Sequence, residues 1–176
     1  MKKLIVLVAL LATAAFSAQA QIRVEAAGNL GWYTLDNFKM NAKIAPRISA
    51  YYLIPTGIAA GVEVGLAYAM YSVENETTGV KMSISNIQLP FRGTFEWEIS
   101  ENFSLTPMLG FYLGCAVGGK TTLVNGITTD PFDGDGGMQR FDFGTDDELV
   151  FTFGKKFDLS LGIQKSFLNL CKDKTV

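Results

Sequence analysis

Arg47, Glu63 and Arg92 sit on the polar parity of three stretches in which every second residue is apolar. Such alternation puts one face of a strand inward and the other outward, so these charges would meet inside a closed sheet. If the turn at Pro55-Thr56-Gly57 is tight, Arg47 and Glu63 fall about opposite each other and Arg92 falls near the same level. Small barrels fill their interior with side chains, which predicts a charge-paired plug built from these three residues. An ion-conducting constriction is the functional alternative for the same positions.

Other groupings that could carry chemistry point elsewhere. Gly114-Cys115-Ala116-Val117-Gly118-Gly119-Lys120-Thr121 satisfies the phosphate-loop pattern letter for letter. That loop works by opening a helix whose N-terminus holds phosphate. Thr122 to Gly126 reads as loop or strand instead, so the expectation is a strand end running into a loop. Asp130, Asp133 and Asp135 stand among glycines, but Pro131 falls where the calcium-loop spacing needs a ligand, and solvated loop acids are expected.

The chain has no His, which removes Ser-His hydrolysis and ordinary zinc chemistry. Glu96 and Glu98 are read as lumen charges, and the chain is read as not an enzyme, with no cofactor and no metal. Cys115 and Cys171 both fall near outer strand ends; a disulfide between them and two separate thiols are the alternatives.

The elements that must position these residues form a series of seven runs. Ile22 to Trp32, Ala42 to Ile54 and Ile58 to Met70 each alternate, as do Ile87 to Ile99, Phe103 to Leu113 and Phe157 to Ile163. The run from about Arg140 to Phe153 is less regular, and strict alternation there aims Asp147 outward, so a bulge or a longer loop is expected. Short turns near residues 55, 101 and 155 alternate with longer connections at 36–40, 74–83 and 118–139. Runs of this length suit a tilted crossing of a bilayer, and short turns opposite longer loops suit an outer-membrane barrel.

The N-terminus supports export. Lys2 and Lys3 precede an apolar stretch from Leu4 to Phe16, and Ala18-Gln19-Ala20 supplies the small-x-small pattern. Residues 1–20 therefore read as a secretory signal peptide cleaved after Ala20, and 21–176 as one barrel domain. Of the 15 basic residues, removing Lys2 and Lys3 leaves 13 against 17 acidic ones. With no basic patch, nucleic acid is not an expected partner. No run after the signal is apolar for long enough to form a helical span.

Gln88-Leu89-Pro90, Leu105 to Gly114, Arg140 to Gly144 and Lys155 to Gln164 resemble, in that order, the small outer-membrane β-barrel proteins of the Bacteroidota. The resemblance implies an eight-stranded barrel, often labelled porin-like. In that family the last strand ends in an aromatic residue read by the insertion machinery. Here Lys172-Asp173-Lys174-Thr175-Val176 follows the seventh run, so the closing strand is expected to be missing or atypical.

The expected fold is all-β, an antiparallel up-and-down transmembrane β-barrel of eight-stranded design with about seven strands visible. The expected location is the cell outer membrane, in contact with its lipid and its insertion machinery. The expected role is structural or surface-interacting, with loop 118–139 meeting a surface polymer or host ligand. A narrow passive porin-like channel is one alternative. The other is a soluble periplasmic β-barrel that binds an apolar ligand.

Overall fold

The computed structural model describes residues 21–31, 41–134, 137–154 and 157–168. The signal stretch, the connection 32–40 and Cys171 lie outside the described residues, as do Asp135 and the segment 169–176. Among the described residues nine strands follow one another: β1 (Gln21–Leu30), β2 (Asn41–Pro55), β3 (Ala60–Glu74), β4 (Lys81–Phe95), β5 (Trp97–Ser100), β6 (Phe103–Thr122), β7 (Thr128–Thr129), β8 (Phe141–Phe153) and β9 (Phe157–Ser166). All pairings are antiparallel, in the order β1-β2-β3-β4-β6-β8-β9, with the short β5 and β7 both against β6. The fold is all-β, a curled seven-stranded half-barrel of the up-and-down kind.

Seven long strands in a meander have a geometric consequence. Successive strands reverse direction, so β1 and β9 run the same way. Direct closure would need a parallel ladder, and among the described residues none joins these two edges.

The alternation sorts the two faces as the runs predict. Val24 and Ile44 on the outside are 72% and 79% exposed, with Leu89, Phe111 and Leu161 also outward. Gln88 and Arg92 on the inside are 0% and 1% exposed. A soluble fold buries its apolar face; this sheet buries its polar one. On the outside the apolar belt ends where Ser83, Ser85 and Lys120 replace it, yet the strands continue, β6 to 20 residues. Ladder irregularities between Lys43 and Arg47 and between Ser85 and Asn86 lie at this upper edge. Bulges there bend the sheet as it leaves the belt.

Several expectations are corrected. Arg47 does not face Glu63: its partner across the ladder is Ala69, and that of Glu63 is Leu53. The cause is the turn, which runs on to Ala60, whose carbonyl accepts from both Thr56 N and Gly57 N. Moving the turn slides every later pairing along the strand. Glu96 and Glu98 are exposed at the rim and are not lumen charges.

Asp147 also departs from expectation. It keeps outward parity within unbroken β8, and the β6–β8 ladder carries no bulge there. The half-buried carboxylate instead accepts from Gly110 N at 3.4 Å. The stretch Gly114–Thr121 is extended strand throughout, so the helix a phosphate loop requires is not formed.

Part of the long connection 118–139 is strand: β6 reaches Thr122, and β7 folds back on it through a turn in which Leu123 N donates to Ile127 O. Gly126 in that turn has φ 80°, a left-handed conformation that favours glycine. Phe132 and Met138 of this connection cover the mouth, buried against Val73, Met82, Ile84 and Ala116, the main apolar cluster inside the sheet.

Candidate functional site: the charged barrel interior

Inward residues of β1, β2, β3, β4 and β8 converge on one cluster. Arg92 and Glu63 are direct ladder partners, and Arg92 Nη2 donates to Glu63 Oε2 at 2.9 Å. Arg92 Nη1 donates to Glu148 Oε2 on β8. Arg23 reaches across from β1, with Nη2 3.4 Å from both Glu63 Oε2 and Glu148 Oε2 and 3.6 Å from Glu25 Oε2. One carboxylate thus serves two guanidiniums at each of two positions, which offsets the desolvation that burial imposes.

Arg47 lies in the same interior, one step removed. Its Nη2 donates to Tyr51 Oη at 3.1 Å and sits 3.6 Å from Asp146 Oδ2. Tyr51 ties the cluster together, since its ring also receives the guanidinium of Arg92 at 4.1 Å and that of Arg23 at 5.1 Å. Cations over an aromatic face are attracted by its quadrupole. The structure therefore brings Glu63 and Arg92 into direct contact and joins Arg47 to them through Tyr51 and Asp146.

Two glycines make room for these bulky groups. A Cβ on Gly65 would run into the Tyr51 ring, and one on Gly110 would run into Phe91 O and the Arg92 backbone. Glycine on the neighbouring strand is what lets a large side chain lie flat across the interior.

Above the cluster the interior opens into a cavity of about 940 Å³ between the β1 and β9 edges. Its wall carries a hydrogen-bonded chain of neutral and acidic groups, with Arg47 and Lys165 also lining it. Gln88 Nε2 donates to Tyr71 Oη at 3.0 Å, Tyr71 Oη to Gln164 Oε1 at 2.8 Å, and Gln164 Nε2 to Asp146 Oδ1 at 2.9 Å. Asp142 accepts from Tyr112 Oη at 2.7 Å and from Ser166 Oγ at 2.6 Å.

Outside the barrel, beyond the apolar belt, Glu74 meets Lys81 at 3.3 Å and Lys43 at 3.4 Å. The Lys81 ammonium, with Lys43 behind it, holds the Glu74 carboxyl below its ordinary value. In the loop at the mouth, Asp130 accepts from Phe132 N at 2.9 Å and pairs with Arg140 at 3.5 Å, so this acid serves the loop's own fold.

Sequence reasoning missed Tyr51, Asp146 and Glu148 as members of the cluster. Asp146 and Glu148 carried a usable signal: if Asp147 points outward, its two neighbours must point inward. Tyr51 carried the same parity signal but is an aromatic residue on a face read as polar. Arg23 and Glu25 were on the polar parity of the first run without a predicted partner.

Fold and interior together define a class: an antiparallel up-and-down β-barrel sheet, apolar outside and ion-paired inside. No family model matches the chain, and no curated protein or solved structure is significantly similar to it.

Proposed function

We propose that this chain is a small outer-membrane β-barrel protein, exported through the signal at 1–20 and related to the small barrels of the Bacteroidota. Its role is structural or surface-interacting, through the loop-bearing end, and its interior is closed by side chains. The observation that carries this reading is the sorting of the sheet, with apolar groups outward and ion pairs inward. Lipid accepts the first face, and arginine–carboxylate pairs offset the charge buried on the second.

Further features support it. Phe95, Trp97, Phe103, Phe153 and Phe157 gather at the turn-bearing end, with rings of Phe95 and Trp97 5.8 Å apart and those of Phe103 and Phe153 5.2 Å apart. Aromatic girdles at a membrane interface have this arrangement. An apolar-ligand carrier would need the opposite sorting, with its greasy face inward. At the loop-bearing end, Val124 and Ile127 project from the β6–β7 turn at 74% and 54% exposure. These offer the contact surface for an envelope or host partner.

The test is extraction and heat-modifiability, followed by planar-bilayer recording. The expected results are membrane retention until detergent is added, a gel-mobility shift on boiling, and no stable conductance step. Release without detergent would sink the membrane reading. A stable step would replace the plug with a pore.

A further inference from the structure

The sheet leaves two edges open. Among the described residues β1 pairs only with β2, and β9 only with β8. In an antiparallel ladder, alternate residues turn their N–H and C=O groups away from the partner strand. Half of the backbone groups along each ten-residue edge strand therefore lack a ladder partner among the described residues. In lipid no water reaches such groups, so an open edge is costly there.

The space between the edges has the outline of a missing strand. The 940 Å³ cavity is bounded by Ala27 to Gly31 on the β1 side and by Ser160 to Ser166 on the β9 side. These are consecutive residues of both parities, so the strand edges themselves border the cavity, not the inward side chains alone. Exposure repeats the pattern. None of the inward residues Glu25, Ala27 and Asn29 of β1, or Ser160, Gly162 and Gln164 of β9, is buried. Inward Tyr51, Gln88 and Val150, on strands with neighbours at both sides, are buried.

Strand direction narrows what fits. β1 starts beside Leu53 and β9 starts beside Phe153, so both run from the turn-bearing end to the mouth. One strand running the other way is antiparallel to both and completes both ladders at once. A second copy lying the same way up in a bilayer would set its own β9 beside β1, and that pairing is parallel. Two stretches of this chain outside the described residues do not match the gap. Leu4 to Ala12 is apolar at both parities, and Lys172-Asp173-Lys174 sets three charges in succession.

We propose that the gap takes up an extended segment of another polypeptide, about ten residues long, as an eighth strand antiparallel to both β1 and β9. Its N-terminal half lies at the mouth and its C-terminal half at the turn-bearing end. Main-chain hydrogen bonds to two edges supply the affinity, and alternation supplies the selection. Inward positions of the segment meet Ala27, Ser160 and Gly162, which suit serine or threonine. Outward positions continue the exposed rows of Val24 and Leu30 and of Leu161 and Ile163, which suit valine or leucine. The outward half of that pattern rests on the membrane reading; the pairing to two edges does not.

The probe is a synthetic ten-residue peptide of alternating threonine and valine, with cysteine in place of its first valine. It is added to the full chain refolded in a non-ionic detergent, and fluorescence anisotropy of a labelled peptide reads binding. One peptide per barrel is expected. A control of the same composition, with its valines gathered at one end, should bind about tenfold more weakly or worse. This measurement needs no variant of the chain. Direction is then read by disulfide trapping, with Cys115→Ser and Cys171→Ser in the background. Leu30→Cys and Ile163→Cys, near the mouth, should each trap the peptide about tenfold faster than Val24→Cys or Phe157→Cys, because thiols held far apart cannot bridge. Each variant is first shown to keep the wild-type unfolding midpoint.

No binding, equal binding of the two peptides, trapping at one edge alone or faster trapping at the turn-bearing end would overturn the proposal. So would a dimer that persists in excess peptide, or a disulfide formed directly between Leu30→Cys and Ile163→Cys without peptide. None of those results touches membrane retention, so this idea and the membrane reading fail separately.

Discussion

The mid-barrel cluster and the chamber above it are built from the same strands and the same parity, yet they handle charge in opposite ways. In the cluster, Arg92 and Arg23 share Glu63 and Glu148, and Tyr51 stacks against both guanidiniums. In the chamber, Asp142 is met by neutral donors and an open volume replaces side chains. The two regions differ in local bulk. Gly65 and Gly110 let a tyrosine and an arginine lie across the centre, while near the mouth the β1 and β9 edges stand apart. Inward polarity alone does not make a plug; level and partner do.

The largest expected effect breaks the cluster. Arg92→Met leaves Glu63 and Glu148 short of a partner in a buried setting, at a cost of about 3–5 kcal/mol. Glu25→Gln in the chamber removes a carboxylate that meets only Arg23, at 3.6 Å, and should cost less, about 1 kcal/mol. Denaturant unfolding of the refolded protein in detergent reads both. Equal losses for the two variants would erase the distinction between the regions.

A smaller effect tests the space that glycine provides. Gly110→Ala sets a methyl group against Phe91 O and the Arg92 backbone. Overpacking of this kind costs about 1–3 kcal/mol. Gly118→Ala on the same strand meets open space and should change the midpoint little. If both glycines tolerate alanine equally, the close approach of β4 to β6 is not what seats Arg92.

The smallest effect contrasts the interior with a surface ion pair. Glu74 has its carboxyl held low by Lys81 and Lys43, so its pairing is present at neutral pH and fades as pH falls through that lowered value. Lys81→Gln should move the Glu74 titration back up toward the ordinary carboxylate range, read by NMR of its side chain. Because the pair is exposed, the unfolding midpoint should hardly respond. A midpoint shift as large as that of Arg92→Met would contradict this ranking.

Much of the fold was legible because alternation is local. Ile22 to Leu30, Ala42 to Ile54 and Phe103 to Leu113 declare their faces residue by residue, and the structure keeps them except at Lys43, which lies outside beyond the bulge. The site was only partly legible. Glu63 and Arg92 meet as ladder partners, but Arg47 is matched to Ala69. A turn that continues to Ala60 shifts the level without changing the side, whereas the bulge after Lys43 puts that residue on the outer face. The sixth run hid Asp146 and Glu148 because an outward acid, Asp147, made its alternation look broken. The Gly110 amide that receives Asp147 lies on another strand, far along the chain.

What the sequence determined by itself is therefore the strand content and the sorting of side chains between two faces. Both follow from a period of two, which each strand carries within its own residues. Only the tertiary structure decided which charges meet, that Tyr51 joins them, and that the mouth keeps an acid-lined chamber. Those depend on register, and register is set by turn lengths, bulges and the bulk of neighbouring strands rather than by any single run.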